Sequence, residues 1–529
     1  MSKTQIKSEV QSSIEDYFLY FCALFNEDST LSATLSEQII ATISGWVWSP
    51  ALIVLCLVAG LYFSLRTRFI QVRRLGEMSR LLFSIDKKGK TGISSFQAFS
   101  MALSGRVGSG NIIGVATAIG YGGPGAIVWM WIIAFLGAGS AFVEATLAQL
   151  YKVEHNGQFR GGPSFYIEKG LKCKWLAVVF AVLTIVACGL FLPQVQSNGI
   201  AIAFSNSLNT SPILVGGITA VLVALVVIGG VKRIAQVAEI VAPFMALSYI
   251  ILSIIVLICN ASVIPTVLAD MFRSAFGMHE AFGGILGSTI AWGVKRGVYS
   301  NEAGQGTGPI VAGAANVSHP VKQGLVQAFS VYVDTLLVCT ATAVMILATQ
   351  AYNVVNAETG AILFQSPYTL GAPDVSYTST ALGTLFGMNA GNIIVAVTLA
   401  FFVFTSIMAY YYYAETSLVY LFGQGKKEQT AIWFLRVILV LSVFYGSFKT
   451  AKAAWDLGDI GVGTMAWINV IVIMLLSSKV LRSLRDYENQ KKEGKEPTFD
   501  PKKLNIQGAD YWEKQIGENA VAEGAHNEE

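Results

Sequence analysis

The sequence predicts an all-α polytopic membrane protein with about eleven transmembrane helices, and three observations lead there. Of its 529 residues 53% are hydrophobic and only 13% charged, and the mean hydropathy of +0.56 is too high for a soluble chain. Apolar runs of spanning length fall at about 46–64, 94–120, 124–151, 175–208, 212–230, 237–260, 281–312, 322–350, 380–414, 429–448 and 459–480. The 36 Lys and Arg are unevenly placed. With the amino terminus outside, thirty of them fall in inward loops and the tail, Lys295 and Arg296 included. That asymmetry predicts an extracytoplasmic amino terminus and a cytoplasmic carboxyl terminus.

Taken in order, residues 1–45 read as an extracytoplasmic segment of mixed charge whose apolar stretch 17–25 is too short to span. Residues 46–64 form one extra transmembrane helix, and 65–93 a basic cytoplasmic loop. The ten spans that remain divide into 94–260 and 281–480, five beginning inside and five beginning outside, which is the arithmetic of an inverted repeat. Each half opens on a glycine-rich helix. In the second half the break is expected near Gly284 or near Gly293. Residues 486–529, rich in Lys, Glu, Asn and Gly, read as a polar, largely unpacked cytoplasmic tail.

The first glycine-rich helix carries the chemistry: Ser104-Gly105-Arg106-Val107-Gly108-Ser109-Gly110-Asn111-Ile112-Ile113-Gly114. A helix in lipid must satisfy its backbone internally, so these glycines serve either close helix packing or a deliberate break. Arg106 favours the break, because an arginine at this depth faces a partner or a watery cavity. If the chain unwinds near Gly108 to Gly110, the amides of the half-helix restarting at Asn111 point their positive dipole at the gap and suit a carboxylate. The carbonyls freed from the first half-helix suit a small cation such as sodium.

Further polar residues sit at depth. Tyr121-Gly122-Gly123-Pro124-Gly125 reads as an outer turn, with Trp129 and Trp131 as interface anchors. Glu144 is either a structural contact or a coupling residue. Gln194, Gln196 and Asn198 follow Pro193, and serve helix–helix contact or an amino-acid substrate. Trp292, among small residues, either walls a pocket or packs. Ser300 to Pro309, with Glu302, is too polar for lipid and reads as a buried inner-side turn or gate. Asp334 either pairs with Arg106 or helps hold an ion. Thr405 and Ser406 offer hard oxygens for sodium, or bond back to their own helix.

Ala102 to Ala116, then Gly122-Gly123-Pro124-Gly125-Ala126 with Trp129-Met130-Trp131, resemble the alanine or glycine:cation symporter family. Gly161-Gly162-Pro163-Ser164-Phe165-Tyr166-Ile167-Glu168-Lys169-Gly170, Ser300-Asn301-Glu302-Ala303-Gly304, and Asp334-Thr335-Leu336 with Val338-Cys339-Thr340 extend the resemblance. Gly306-Thr307-Gly308-Pro309 departs from the Ser-Ala-Pro of many relatives, and Lys295-Arg296 is unusually basic. The resemblance implies a LeuT-like five-plus-five fold and sodium-coupled uptake of small neutral amino acids, alanine and glycine, across a bacterial inner membrane. It implies that Gly108, Ser109, Gly110 and Asn111 hold the substrate carboxylate, with Gln196 and Trp292 in the substrate pocket. Sodium would lie between the carbonyls of Val107 and Ser104 and the residues Phe402, Thr405 and Ser406. Arg106, Glu144, Glu302 and Asp334 are candidates for gating or coupling.

Other classes are disfavoured. No nucleophile, base and orienting group converge, so an enzyme is not expected, nor an organic cofactor. The six cysteines and four histidines show no metal spacing, repeated channel filter loops are lacking, and the basic residues form no nucleic-acid stripe. The partners expected are a small neutral amino acid and the lipid bilayer. The alternative within transport is a proton-coupled carrier of another small amino acid, through Asp334 or Glu144.

Overall fold

The computed structural model describes residues 29–84, 91–279, 282–357 and 359–516. Lys3, Lys7, the 17–25 stretch, Cys22 and His526 lie outside the described residues. Among those described, eight helical stretches are long and apolar enough to cross a membrane, and Pro212–Val227 is a shorter apolar helix. Two interrupted helices bring the crossings to eleven, the number expected.

A helix Ser29–Val47 runs through a short turn into α1, Pro50–Arg66. The first interrupted helix comprises α2, Ser95–Arg106, a π-helical turn Gly110–Gly114, and α3, Val115–Gly122. Then come α4, Gly125–Leu150, the helix Lys174–Val186 continuing into α5, Leu192–Leu208, and α6, Gly230–Cys259. The second interrupted helix is α7, Leu286–Asn301, with α8, Gly308–Ala314. Behind it follow α9, Pro320–Val331, α10, Met388–Phe422, α11, Lys426–Gly446, and α12, Ala451–Lys492. Each set of five crossings therefore opens on an interrupted helix. The start of one and the end of the other meet where Ile93 and Ala315 form a parallel bridge.

The sequence accounts for both interruptions. At the first, α2 starts on a Ser94–Gln97 capping box and ends when Val107 turns extended, at φ −81° and ψ 97°. At the second, Glu302, Gly304 and Gly306 take φ of 55°, 80° and 97°, which no helix continues through. The second break is thus at 302–307, inside the crossing. Gly293 lies within continuous α7, and Gly284 in a short 3-10 turn before it. The polar stretch read as an inner-side turn is itself this interruption.

Burial sorts the remaining elements. α4 is almost wholly covered, whereas Pro212–Val227, α6 and α11 present Leu222, Ile240, Phe244, Trp433 and Leu441 outward, the arrangement a lipid surface requires. Trp129 and Trp131 spend their indole N–H groups inside the protein, on the Ala275 carbonyl at 2.9 Å and the Thr340 hydroxyl at 2.8 Å. Asn198 likewise is helix glue, donating to the carbonyls of Gly446 and Lys449.

The described part of the segment after α12, residues 493–516, is packed, contrary to its polar composition. Phe499, Ile506, Ala509 and Trp512 are buried, and Trp512 Nε1 donates to the Gln149 carbonyl at the end of α4, 2.8 Å away. Lys152 lies 4.2 Å from the Phe159 ring centre and 4.8 Å from those of Tyr511 and Trp512. His319, beside Phe499, caps α9 by accepting from Val321 N, and burial holds its imidazole below the ordinary range.

Candidate functional site

The two interruptions face each other, and the first is held open by side chains. In an unbroken helix Gly108 N would bond the Ser104 carbonyl and Ser109 N that of Gly105. Here Gly108 N donates to Asn111 Oδ1 at 2.8 Å and Ser109 N to Gln196 Oε1 at 2.9 Å. Asn111 N turns to the Gly108 carbonyl at 3.2 Å rather than to Val107. The carbonyls of Ser104, Gly105 and Val107 therefore lose their helical donors. Both amides at the gap are satisfied by side-chain oxygens, the same kind of group that a substrate carboxylate would present.

The Val107 carbonyl meets α10. Ser406 Oγ lies 3.1 Å from Val107 O and 2.9 Å from Phe402 O, and Thr405 Oγ1 lies 3.0 Å from the same Phe402 carbonyl. Four oxygens from two elements, Val107 O, Phe402 O, Thr405 Oγ1 and Ser406 Oγ, thus cluster in a fully buried place. That is the hard donor set of a small cation. The bonds of Thr405 and Ser406 to Phe402 are the back-bonds expected of hydroxyls in a helix, and Ser406 reaches across as well. Ser104 turns its hydroxyl to the Ser100 carbonyl, 2.9 Å away, so only its carbonyl is available.

Any side chain at the centre would crowd the groups that line the gap. A Cβ on Gly108 would sit 2.5 Å from Ser406 Oγ and 2.9 Å from Gln196 Oε1. Gly108→Ala is therefore expected to displace both groups and reduce substrate-driven uptake at least tenfold while the protein still reaches the membrane. Initial-rate uptake normalised to surface-labelled protein checks it.

On the far side of the gap, Asn111 Nδ2 donates to Asp334 Oδ1 at 2.7 Å. Ser300 Oγ, at 2.9 Å, and Thr335 Oγ1, at 2.7 Å, donate to Asp334 Oδ2. Asp334 thus fastens the first interruption to the end of α7 and does not pair with Arg106. Arg106 instead donates from Nε to the Asn301 carbonyl at 2.6 Å, and from Nη1 to Ser330 Oγ and Gln327 Oε1. Among the described residues no carboxylate forms an ion pair with it. The second interruption is held by Glu144, whose Oε1 accepts from Gly304 N at 3.1 Å and whose Oε2 accepts from Asn469 at 2.8 Å. Glu302 Oε2 accepts from Tyr413 at 3.3 Å.

Trp292 is not with this group. Its ring stacks on Tyr121 at 4.8 Å, toward the Gly123 end, and the ring beside Gly110 is that of Tyr299. Lys295 and Arg296, counted as loop cations, are deep in α7. Arg296 makes a bidentate pair with Asp459 of α12, at 3.0 and 3.1 Å, and Lys295 adds a third contact at 2.7 Å. Trp455 covers the guanidinium at 4.6 Å from its ring centre, and the Arg296 stem lies against Gly114. Tyr299 and Asp459 went unassigned in the sequence. An acid inside the last apolar run was a legible signal for Asp459, and adjacency to the polar 301–309 stretch one for Tyr299.

Buried polar atoms remain unspent around the gap: Ser109 Oγ, the Tyr299 hydroxyl, Arg106 Nη2 and the Gln305 side chain have no hydrogen-bond partner among the described residues. Each costs about 1–3 kcal/mol if left unmade, so the place suits a polar guest.

The model of the sodium:alanine symporter family matches residues 33–501. This chain belongs to that family. The symporter is 53% identical to YrbD of Bacillus subtilis (strain 168), over 90% of this chain and 97% of that one. It is 45% identical to the sodium/proton-dependent alanine carrier protein of Bacillus sp. (strain PS3), over 82% and 96%. The sodium/alanine symporter AgcS of Methanococcus maripaludis is 36% identical over 86% and 98%. The symporter is accordingly a membrane transporter and not an enzyme.

Proposed function

We propose that this symporter carries L-alanine and glycine into the cell with sodium, by alternating access. The observation that carries the reading is the bridge of Ser406 Oγ between the Val107 and Phe402 carbonyls, one residue from the amides of Gly108 and Ser109. A cation there is shared by the interrupted helix and α10, so it holds α10 against the gap where the substrate carboxylate takes the amides. Gln196 and Asn111 release those amides on substrate binding. The size of the substrate is set by Tyr299, close against Gly110. Glu144 and Glu302 keep the second interruption in register with the first. The symporter lies in a bacterial plasma membrane with its amino terminus outside, where the Gly123 end opens outward.

A second reading has one observation behind it. Asp334 is completely buried, accepts from Asn111, Ser300 and Thr335, and has no cationic partner among the described residues, so a proton is an alternative coupling ion. Uptake of labelled L-alanine into proteoliposomes separates the two. An inward sodium gradient is expected to drive accumulation, with Thr405→Ala and Ser406→Ala each raising the half-saturating sodium concentration at least tenfold. Glycine should compete and L-glutamine should compete less. Accumulation driven by a proton gradient alone, unchanged in both variants, would move the coupling role to Asp334.

A further inference from the structure

Away from the interruptions, a cavity of about 480 Å³ lies between the helix Ile264–Ala275 and the loop that carries the hairpin Val354–Val355/Ile362–Phe364. That is the volume of a small organic ligand. Its lining is lopsided in charge. Asp270 contributes a half-buried carboxylate for which the described residues supply neither ion pair nor hydrogen bond, and among the described lining residues the basic group is the His279 imidazole, with no lysine or arginine. The walls are aromatic: Phe282, Tyr352, Phe364 and Tyr368, with Tyr352 and Phe364 stacked at 4.7 Å. Burial first, and the Asp270 charge second, hold the Tyr352 phenol above its ordinary range, so its ring stays neutral beside the acid. A carboxylate sharing a cavity with aromatic walls suits an organic cation.

From this we infer a second, independent site for an amine: a primary or quaternary ammonium on a small apolar body, without a carboxylate. An amino acid is disfavoured, since its carboxylate would enter beside the Asp270 carboxylate, with only the His279 imidazole among the described lining residues to meet it. The site also has leverage. Its helix is fixed to α4 through Ser274 Oγ, which accepts from Gly125 N at 3.1 Å, and its loop is fixed to α3, where Pro373 packs on Gly120. An occupant would therefore brace the cover of the Gly123 end.

Phenethylammonium is the probe, titrated calorimetrically into the full-length symporter in nanodiscs. Saturable binding is expected, weakened at least tenfold in Asp270→Asn and restored in Asp270→Glu. Saturating L-alanine should not displace it, and Asp270→Asn should keep wild-type alanine uptake, which shows that the variant folds. Equal affinity for neutral 2-phenylethanol, equal affinity of Asp270→Asn, or displacement by alanine would each overturn the assignment.

Discussion

Asn111→Ala should reduce sodium-driven alanine uptake about 100-fold or more with the protein still folded. One side chain holds both edges of the gap: Oδ1 takes Gly108 N, and Nδ2 gives Asp334 its 2.7 Å bond. The alanine variant loses the bond to the ionised or ionisable Asp334 in the empty and the loaded carrier alike, worth about 1.5–3 kcal/mol, and in the empty carrier it also leaves the Gly108 amide unsatisfied. The first loss alone approaches the roughly 2.8 kcal/mol that a 100-fold change requires. Nothing comparable replaces them, because Ser300 and Thr335 already spend their hydroxyls on the same carboxylate. Initial rates in proteoliposomes, alongside a thermal melt, decide it. Retention of more than a tenth of wild-type uptake would remove Asn111 from the centre of the mechanism.

Asp459→Ala should have the second large effect, on stability first. It strands Arg296 and Lys295 without their carboxylate in a buried place, a change that costs about 3–5 kcal/mol. Aromatic contacts with Trp292, Tyr299 and Trp455 offset part of that. The expected result is a clearly lowered melting temperature in detergent and little surviving transport. Replacing the whole triad with apolar residues of similar volume, Asp459→Leu with Lys295→Met and Arg296→Met, should recover most of the melting temperature, since removing an ion cluster entirely costs far less than halving it. An Asp459→Ala variant that melts like wild type would show the triad to be energetically idle.

The two interruptions differed in how legible they were, and the reason is physical. In the first, glycines and one arginine stand inside an otherwise apolar run, so depth and break are visible together. In the second, Ser300 to Pro309 is polar throughout, and a polar run lowers hydropathy wherever it sits. The same composition describes a loop at the surface and an unwound segment wrapped by Glu144, Asn469 and Tyr413. The Lys295 and Arg296 assignment failed similarly, because their partner is 163 residues away and charge counting has no measure of depth. The glycine-rich break and the adjacent hydroxyls on the later span pointed to Val107, Asn111, Thr405 and Ser406, which the fold brings together, while Trp292 stacks on Tyr121 and the ring beside Gly110 is that of Tyr299. In the tail, the buried residues Phe499, Ile506, Ala509 and Trp512 were outweighed by the charges between them.

The Trp512–Gln149 contact also has a bearing on synthesis. Its two ends are 363 residues apart, which at a ribosomal pace of about 5–20 residues per second means a wait on the order of 20 to 70 s. Throughout that interval α4 is already in the bilayer while the rings of Tyr511 and Trp512, two of the three around Lys152, do not yet exist. A chain cut short before that point would carry an unfinished base, in which Lys152 keeps Phe159 and the Ala315 carbonyl but lacks its other two rings, and the Gln149 carbonyl lacks its indole donor.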